Sequence, residues 1–218
     1  MKKAVLFDMD GILYDSEAFY MNNTVRVMRD LGYKGPKERL YAVVGTTAEG
    51  TWKILYDLLE GNYTGREIER AWIAYNREHP LDFKAVMFKD IPQALARLKR
   101  HGFEMACCSS NTPAVIHKSL EVMGIQEYFS YVVSSEEIER PKPDPMIYLL
   151  AAEKVGANPA RCYVYEDSAP GIEAGRRAGM TVIARKDTRF DQDQSRADKI
   201  VMNASQMAEF VIGEDKHA

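Results

Sequence analysis

Asp8 and Asp10 stand two residues apart at the close of a short apolar run, and three later apolar runs are each followed by residues suited to the same chemistry. These are Ser109, Ser110 and Asn111; Lys142 between Pro141 and Pro143; and the acidic pair Glu166 and Asp167 ahead of Ser168. A carboxylate such as Asp8 can attack phosphorus and form an acyl phosphate, which divides one hard displacement into two easier ones. Asp10 lies on the same side of an extended segment but nearer its exit. There it can protonate the leaving oxygen and later deprotonate the attacking water. The phosphoryl dianion needs cations. Mg2+, a hard ion that takes carboxylate and carbonyl oxygens, would be held by Asp8, Glu166, Asp167 and the carbonyl of Asp10. Lys142 would neutralise the remaining charge, and Ser109, with Ser110 and Asn111 beside it, would bind phosphoryl oxygens.

Each of these elements alone has a plainer explanation. Asp10 with Gly11 between two apolar stretches is a hairpin-turn signal, a reading compatible with a site. Ser109 to Asn111 would cap the helix that follows, Lys142 would be a solvated turn lysine, and Glu166 with Asp167 would favour the next helix through its dipole. Gly171, Gly175 and Gly179, four residues apart, read as close helix packing and do not form a dinucleotide-binding fingerprint. What favours a site is the joint pattern at strand ends, because ligands of an open α/β sheet bind outside the carboxyl ends of its strands.

The positioning elements are legible as periodicity. Apolar, β-rich runs at residues 4–7, 103–108, 131–133, 162–165, 180–184 and 200–202 read as parallel strands buried on both faces. Helical spacing of Ile91, Leu95 and Leu98, and of Val115, Ile116, Leu120 and Met123, supplies crossover helices, so the class is α/β. Residues 16–80 break the rhythm. Ala18, Met21, Val25 and Met28, then Trp52, Leu55, Tyr56 and Leu59, repeat at helical spacing with no strand between them, and the segment closes near His79 and Pro80. The expectation is a parallel-sheet core made of residues 1–15 and 81–218, with an all-helical cap inserted at 16–80. The polar stretch 186–198 reads as a solvated loop.

Composition sets the outer limits. With 218 residues, 46% hydrophobic and 28% charged, the chain is expected to be a folded globular protein. A net charge of -3 gives no basic footprint for nucleic acid. Three cysteines, two of them adjacent at 107 and 108, suit a reducing cytoplasm better than a disulfide framework. Lys2 and Lys3 imitate the start of a signal peptide, but Asp8 interrupts the apolar run too early for one. The longest apolar run, 146–152, is far short of the roughly 20 residues that span a bilayer. A cytoplasmic protein with no nucleic-acid or membrane partner is expected.

Taken together, Asp8-Met9-Asp10-Gly11-Ile12, Ser109-Ser110-Asn111, Pro141-Lys142-Pro143-Asp144-Pro145 and Glu166-Asp167-Ser168-Ala169-Pro170-Gly171 resemble the haloacid dehalogenase-like superfamily. The resemblance is to its helical-cap branch of phosphoglycolate phosphatases, sugar phosphatases and β-phosphoglucomutase, and it covers essentially the whole chain. It implies a doubly wound, Rossmann-like core, Mg2+ dependence and an aspartyl phosphate intermediate. It makes Asp8 the nucleophile, Asp10 the general acid and base, Ser109 and Lys142 phosphate binders, and Glu166 with Asp167 metal ligands. The paired carboxylates argue against the metal-free dehalogenases of the superfamily. Lys53, beside Trp52, reads as a solvated lysine and not as a Schiff-base former.

A phosphatase acting on a small phosphorylated substrate, a sugar phosphate or similar, is therefore expected, with a phosphomutase as the alternative. Where β-phosphoglucomutases typically carry a cap histidine, Tyr20 stands here, and no lysine follows Ser109 until Lys118. A receiver-type signalling module has no use for the helical insertion, whereas a closing lid serves catalysis. Candidate substrate contacts in the cap are Glu17, Tyr20, Thr46 and Thr47, although the two threonines would equally begin the helix that follows.

Overall fold

The apolar runs line up as one parallel six-stranded sheet in a computed structural model that describes residues 2–44, 46, 48–190 and 192–215. The strands are β1 (Lys2–Phe7), β2 (Glu104–Ser109), β3 (Tyr131–Ser134), β4 (Ala157–Glu166), β5 (Thr181–Arg185) and β6 (Lys199–Val201), in the spatial order β3-β2-β1-β4-β5-β6. This is the doubly wound order. The chain fills one side of β1 first and then crosses to the other, leaving a crevice between the carboxyl ends of β1 and β4. The register pairs Phe7 with Tyr165 and, next to it, Leu6 with Val164.

The described helices are α1 (Ser16–Asp30), α2 (Ala48–Leu58), α3 (Gly65–Glu78), α4 (Phe83–Val86), α5 (Ile91–Arg100), α6 (Pro113–Met123), α7 (Met146–Val155), α8 (Ala169–Arg177) and α9 (Ala204–Asp215), and of these α5 to α9 pack against the sheet. On one face α7 and α8 pack over Ala4, Leu6, Ala106, Cys108, Cys162 and Val164 in a single buried cluster. Elsewhere in the core unit α5 packs against α9. In α6 the inward residues are Ile116, Leu120 and Met123, whereas Val115 is 39% exposed, so the sequence pattern is one residue too wide there. Gly175 does pack closely, since a Cβ there would press on Val164 and Val182. Gly179 instead closes the turn after α8, with φ of +72° and no close neighbour.

The chain divides into two compact units, Met1–Tyr14 with Phe83–Ala218, and Asp15–Asp82. Within the second unit α3 packs against both α1 and α2, around Met21, Val27, Met28, Leu55, Leu59 and Ile68. A capping box between Thr64 and Glu67 starts α3 by satisfying backbone N–H groups at its open end. Among the described residues no helix is long and apolar enough to cross a membrane.

Candidate functional site

Side chains alternate along a strand. Ala4 and Leu6 in β1, and Cys162 and Val164 in β4, all face the cluster beneath α7. Asp8 and Glu166 are the next members of those two series, so both carboxyls reach the same side of the crevice at the switch point. The loop entering α7 brings Lys142 to them: its Nζ lies 2.5 Å from Asp8 Oδ1 and 2.8 Å from Glu166 Oε1. The Lys142 side chain is 8% exposed, Asp8 is buried and Glu166 fully so.

One ammonium thus serves two carboxylates, and they do not share it equally. Burial opposes ionisation of Glu166, but the charge and hydrogen bond of Lys142, with backbone N–H groups of Ser168 and Asp167, hold its pKa below the usual carboxylate range. Its Oε2 accepts from Asp167 N at 2.7 Å, Ser168 N at 2.8 Å and Ser168 Oγ at 3.0 Å, and its Oε1 also accepts from the hydroxyl of Tyr148 at 3.2 Å. Among the described residues Asp8 has no comparable set of donors. Burial, only partly offset by Lys142 and reinforced by the charges of Glu166 and Asp10, pushes its carboxyl up to about 7. For Lys142 the two carboxylates outweigh burial and hold the ammonium well above its ordinary pKa. Tyr148, whose ring centre lies 5.1 Å from Nζ, closes the far side.

Asp10 sits on the tight turn that follows β1. Its Oδ1 accepts from the hydroxyl of Tyr14 at 2.9 Å, and its Oδ2 from Nδ2 of Asn111 at 2.5 Å. The hairpin signal at Asp10 and Gly11 resolves into this turn, in which Gly11 donates its N–H to Tyr14 O and no second strand follows. Gly11 has φ of +70°, and a Cβ there would overlap the Asp167 carboxylate. The residue thus meets two demands that only glycine meets together, left-handed backbone and close approach.

At the end of β2, Ser109 is buried, and its Oγ accepts from Asn111 N at 3.1 Å and Asn111 Nδ2 at 3.2 Å, which directs its own O–H elsewhere. Asn111 is engaged with Asp10 and Ser109 and is fixed by Ser134, whose hydroxyl donates to its carbonyl at 2.7 Å. Ser110 is exposed, and its carbonyl accepts from Ser135 Oγ. The structure therefore brings together Asp8, Asp10, Ser109, Asn111, Lys142, Glu166 and Asp167, and leaves Ser110 at the rim.

Ligand oxygens of Asp8, Glu166 and Asp167 all lie within 4.8 Å of one another. Three carboxylates close together, two of them paired with the Lys142 ammonium, make a donor set of hard oxygens. That chemistry fits a small divalent cation.

Residues that sequence reasoning passed over also build the site. Tyr148 lay inside the longest apolar run and carried no polar signal. Tyr14 lies in the turn between β1 and α1, Ser134 ends β3, and both are recognisable only by what they touch. Arg185, at the end of β5, stacks over Phe88 at 3.7 Å and donates to Gly11 O at 3.4 Å.

Within the second unit, Glu17, Tyr20 and Thr46 line a cavity of about 280 Å³ with Met21, Thr24, Val43, Val44, Thr51, Trp52, Leu55 and Trp72. Trp72 Nε1 donates to Thr24 Oγ1 at 3.0 Å, while Thr46 donates to Val43 O and pairs with Thr51. No lysine, arginine or histidine is among these lining residues. Thr47 falls outside the described residues. Lys53 is exposed and pairs with Asp57 at 3.2 Å.

Residues 5–185 match the family described as haloacid dehalogenase-like hydrolase. The chain is 28% identical over 186 residues to a phosphorylated carbohydrates phosphatase of Thermotoga maritima, covering 82% of each chain. It is 28% identical over 183 residues to a fructose-1-phosphate phosphatase of Escherichia coli K12, covering 82% of this chain and 94% of that one. A crystal structure of a haloacid dehalogenase-like protein from Agrobacterium tumefaciens shares the fold with a TM-score of 0.81 at 21% identity, covering 99% of this chain and 100% of that one.

Proposed function

The chain belongs to the haloacid dehalogenase-like hydrolase family, and from that premise we propose that it is a Mg2+-dependent phosphatase that hydrolyses a small phosphomonoester through an aspartyl phosphate. The observation that carries the reading is the convergence of Asp8, Asp10, Ser109 and Lys142 with Glu166 and Asp167 on one strand edge.

Asp8 attacks phosphorus. A bond forms from its carboxylate oxygen to phosphorus and the ester P–O bond breaks, while Asp10 gives its proton to the departing alkoxide. Asp10, now a carboxylate, takes a proton from a water that attacks the aspartyl phosphate. The bond to Asp8 breaks, and inorganic phosphate and free Asp8 result. Tyr14 and Asn111 hold Asp10 in place through both steps. Lys142 and the O–H of Ser109 stabilise the phosphoryl oxygens as charge gathers on them. Asp8, Glu166, Asp167 and the Asp10 carbonyl would hold Mg2+, which when bound supplies the positive charge that keeps Asp8 ionised and neutralises the phosphoryl group.

The substrate class proposed is a sugar phosphate, as in the two phosphatases named above. Hydrolysis is favoured over phosphoryl transfer between sugar positions, because a mutase must stabilise a second dianion and no lysine follows Ser109 until Lys118. The test is a panel of sugar and polyol phosphates assayed for phosphate release with Mg2+ and with chelator. Release that needs Mg2+ and is lost in Asp8→Asn is expected. Full activity in chelator would overturn the reading, and isomerised sugar phosphate outrunning released phosphate would replace it with the mutase.

A further inference from the structure

Residues 186–198 read from sequence as a solvated polar loop, yet Phe190 and Gln194 are buried, and Gln194 lies at the back of the site. Gln194 is 3% exposed, and its Nε2 lies 2.7 Å from the carbonyl of Asp167 and 2.7 Å from that of Arg185. Both neighbours only accept, so the orientation of the amide is settled by its surroundings: the NH2 must face them. The β4–β5 ladder has its last register pair at Glu166 and Ala184. Asp167 and Arg185 are the next residue on each strand, so one amide group joins the two chains just where the sheet stops doing so.

These are also the two residues that enclose Gly11. The Asp167 carboxylate occupies the place of its absent Cβ, and Arg185 reaches its carbonyl. The loop that carries Gln194 is itself pinned. Arg196 pairs with Glu173 at 2.6 Å, the Arg196 carbonyl accepts from Arg176 at 2.9 Å, and Asp198 accepts from Val182 N at 2.8 Å. Gln194 Oε1 is buried without a partner among the described residues. The NH2 in turn satisfies two backbone carbonyls, and an apolar side chain here would take that donor away from both Asp167 and Arg185.

We propose that Gln194 is a positioning residue for the metal site: its amide clamps the backbone of Asp167 to that of Arg185 and thereby sets where the Asp167 carboxylate stands relative to Asp8. The inference rests on the Mg2+-dependent reading above. Partners one step behind a metal ligand typically account for 10- to 100-fold in affinity or activity. Gln194→Met keeps the length and loses both donors, and Gln194→Glu sets a charged acceptor against two carbonyls.

The test is Mg2+ binding to the substrate-free protein by calorimetry, with Ser195→Ala as a control in the same loop. The unfolding temperature of each chelated variant is measured alongside. Gln194→Met is expected to weaken Mg2+ binding about tenfold or more and to raise the Mg2+ needed for half-maximal phosphatase activity in parallel, with kcat at saturating Mg2+ within a few-fold of wild type. Gln194→Glu should bind more weakly still, although simple charge attraction would make it bind more tightly. The proposal is overturned if Gln194→Met lowers the unfolding temperature but leaves Mg2+ affinity within twofold, if Ser195→Ala weakens binding as much, or if Gln194→Glu binds more tightly than wild type. A wild-type protein that binds no Mg2+ would instead remove the metal reading itself and this inference with it.

Discussion

Replacing the proposed nucleophile should make the metal-free protein more stable. Asp8 is buried, and its carboxyl is pushed from an ordinary 3.8 up to about 7 because burial and the charges of Glu166 and Asp10 outweigh Lys142. A carboxyl whose pKa is raised in the folded state contributes stability that is fully present below its unfolded pKa and is lost as pH rises through its folded pKa. The window here runs from about pH 4 to about pH 7. A shift of about three units corresponds to about 4 kcal/mol by pH 8. In the Asp8→Asn variant the amide would keep the shape and an acceptor for Lys142 without the charge, and Lys142 retains Glu166 at 2.8 Å. The ceiling on the gain is therefore about 4 kcal/mol, which at about 2–4 °C per kcal/mol for a chain of this size is roughly 10 °C. The assay is thermal unfolding of both proteins in chelator from pH 4.5 to 8.5. The two curves should nearly coincide at the acid end and separate as pH rises, with Asp8→Asn the more stable and without turnover. Saturating Mg2+ should narrow or reverse the gap, since ligand binding stabilises only a protein that binds. A variant that unfolds at lower temperature than wild type at pH 8 in chelator, or a gap that does not depend on pH, would refute the account of Asp8 as a carboxylate poorly compensated for its burial.

The same shift couples metal to protons: with Asp8 near 7, Mg2+ affinity should fall by up to about tenfold per pH unit below 7 and level off above it, with proton release seen by calorimetry in buffers of different ionisation enthalpy. An affinity constant from pH 5.5 to 8 would contradict this. Gly11→Ala should cost at least about 1–2 kcal/mol from its left-handed backbone alone and weaken Mg2+ binding by displacing Asp167, both read by unfolding and metal titration of one sample. Tyr148→Phe removes one donor from Glu166, so a loss of about 0.5–1.5 kcal/mol in urea unfolding is expected, with kcat changed only a few-fold.

What the sequence by itself determined was the alternation of buried strands and helices, the helical insertion after the first strand, and the chemistry-bearing residues at four strand ends. Those signals survive because each is local. A strand buried on both faces must be apolar wherever it lies in the sheet, and the polar residue that ends it must be at its carboxyl end. Only the tertiary structure decided how the charges are divided, because that depends on groups brought together from opposite ends of the chain. Glu166 and Asp8 look alike in sequence, yet Glu166 gathers backbone N–H groups, Ser168 and Tyr148, while Asp8 is left to share Lys142. Asn111 also holds Asp10, across 101 residues of chain. Gln194 was invisible for the same reason: a glutamine among aspartates and arginines reads as solvent-facing, and its burial follows from where the β4–β5 ladder happens to end. Periodicity reports which face of an element is buried; it carries no information about which buried polar groups will find each other.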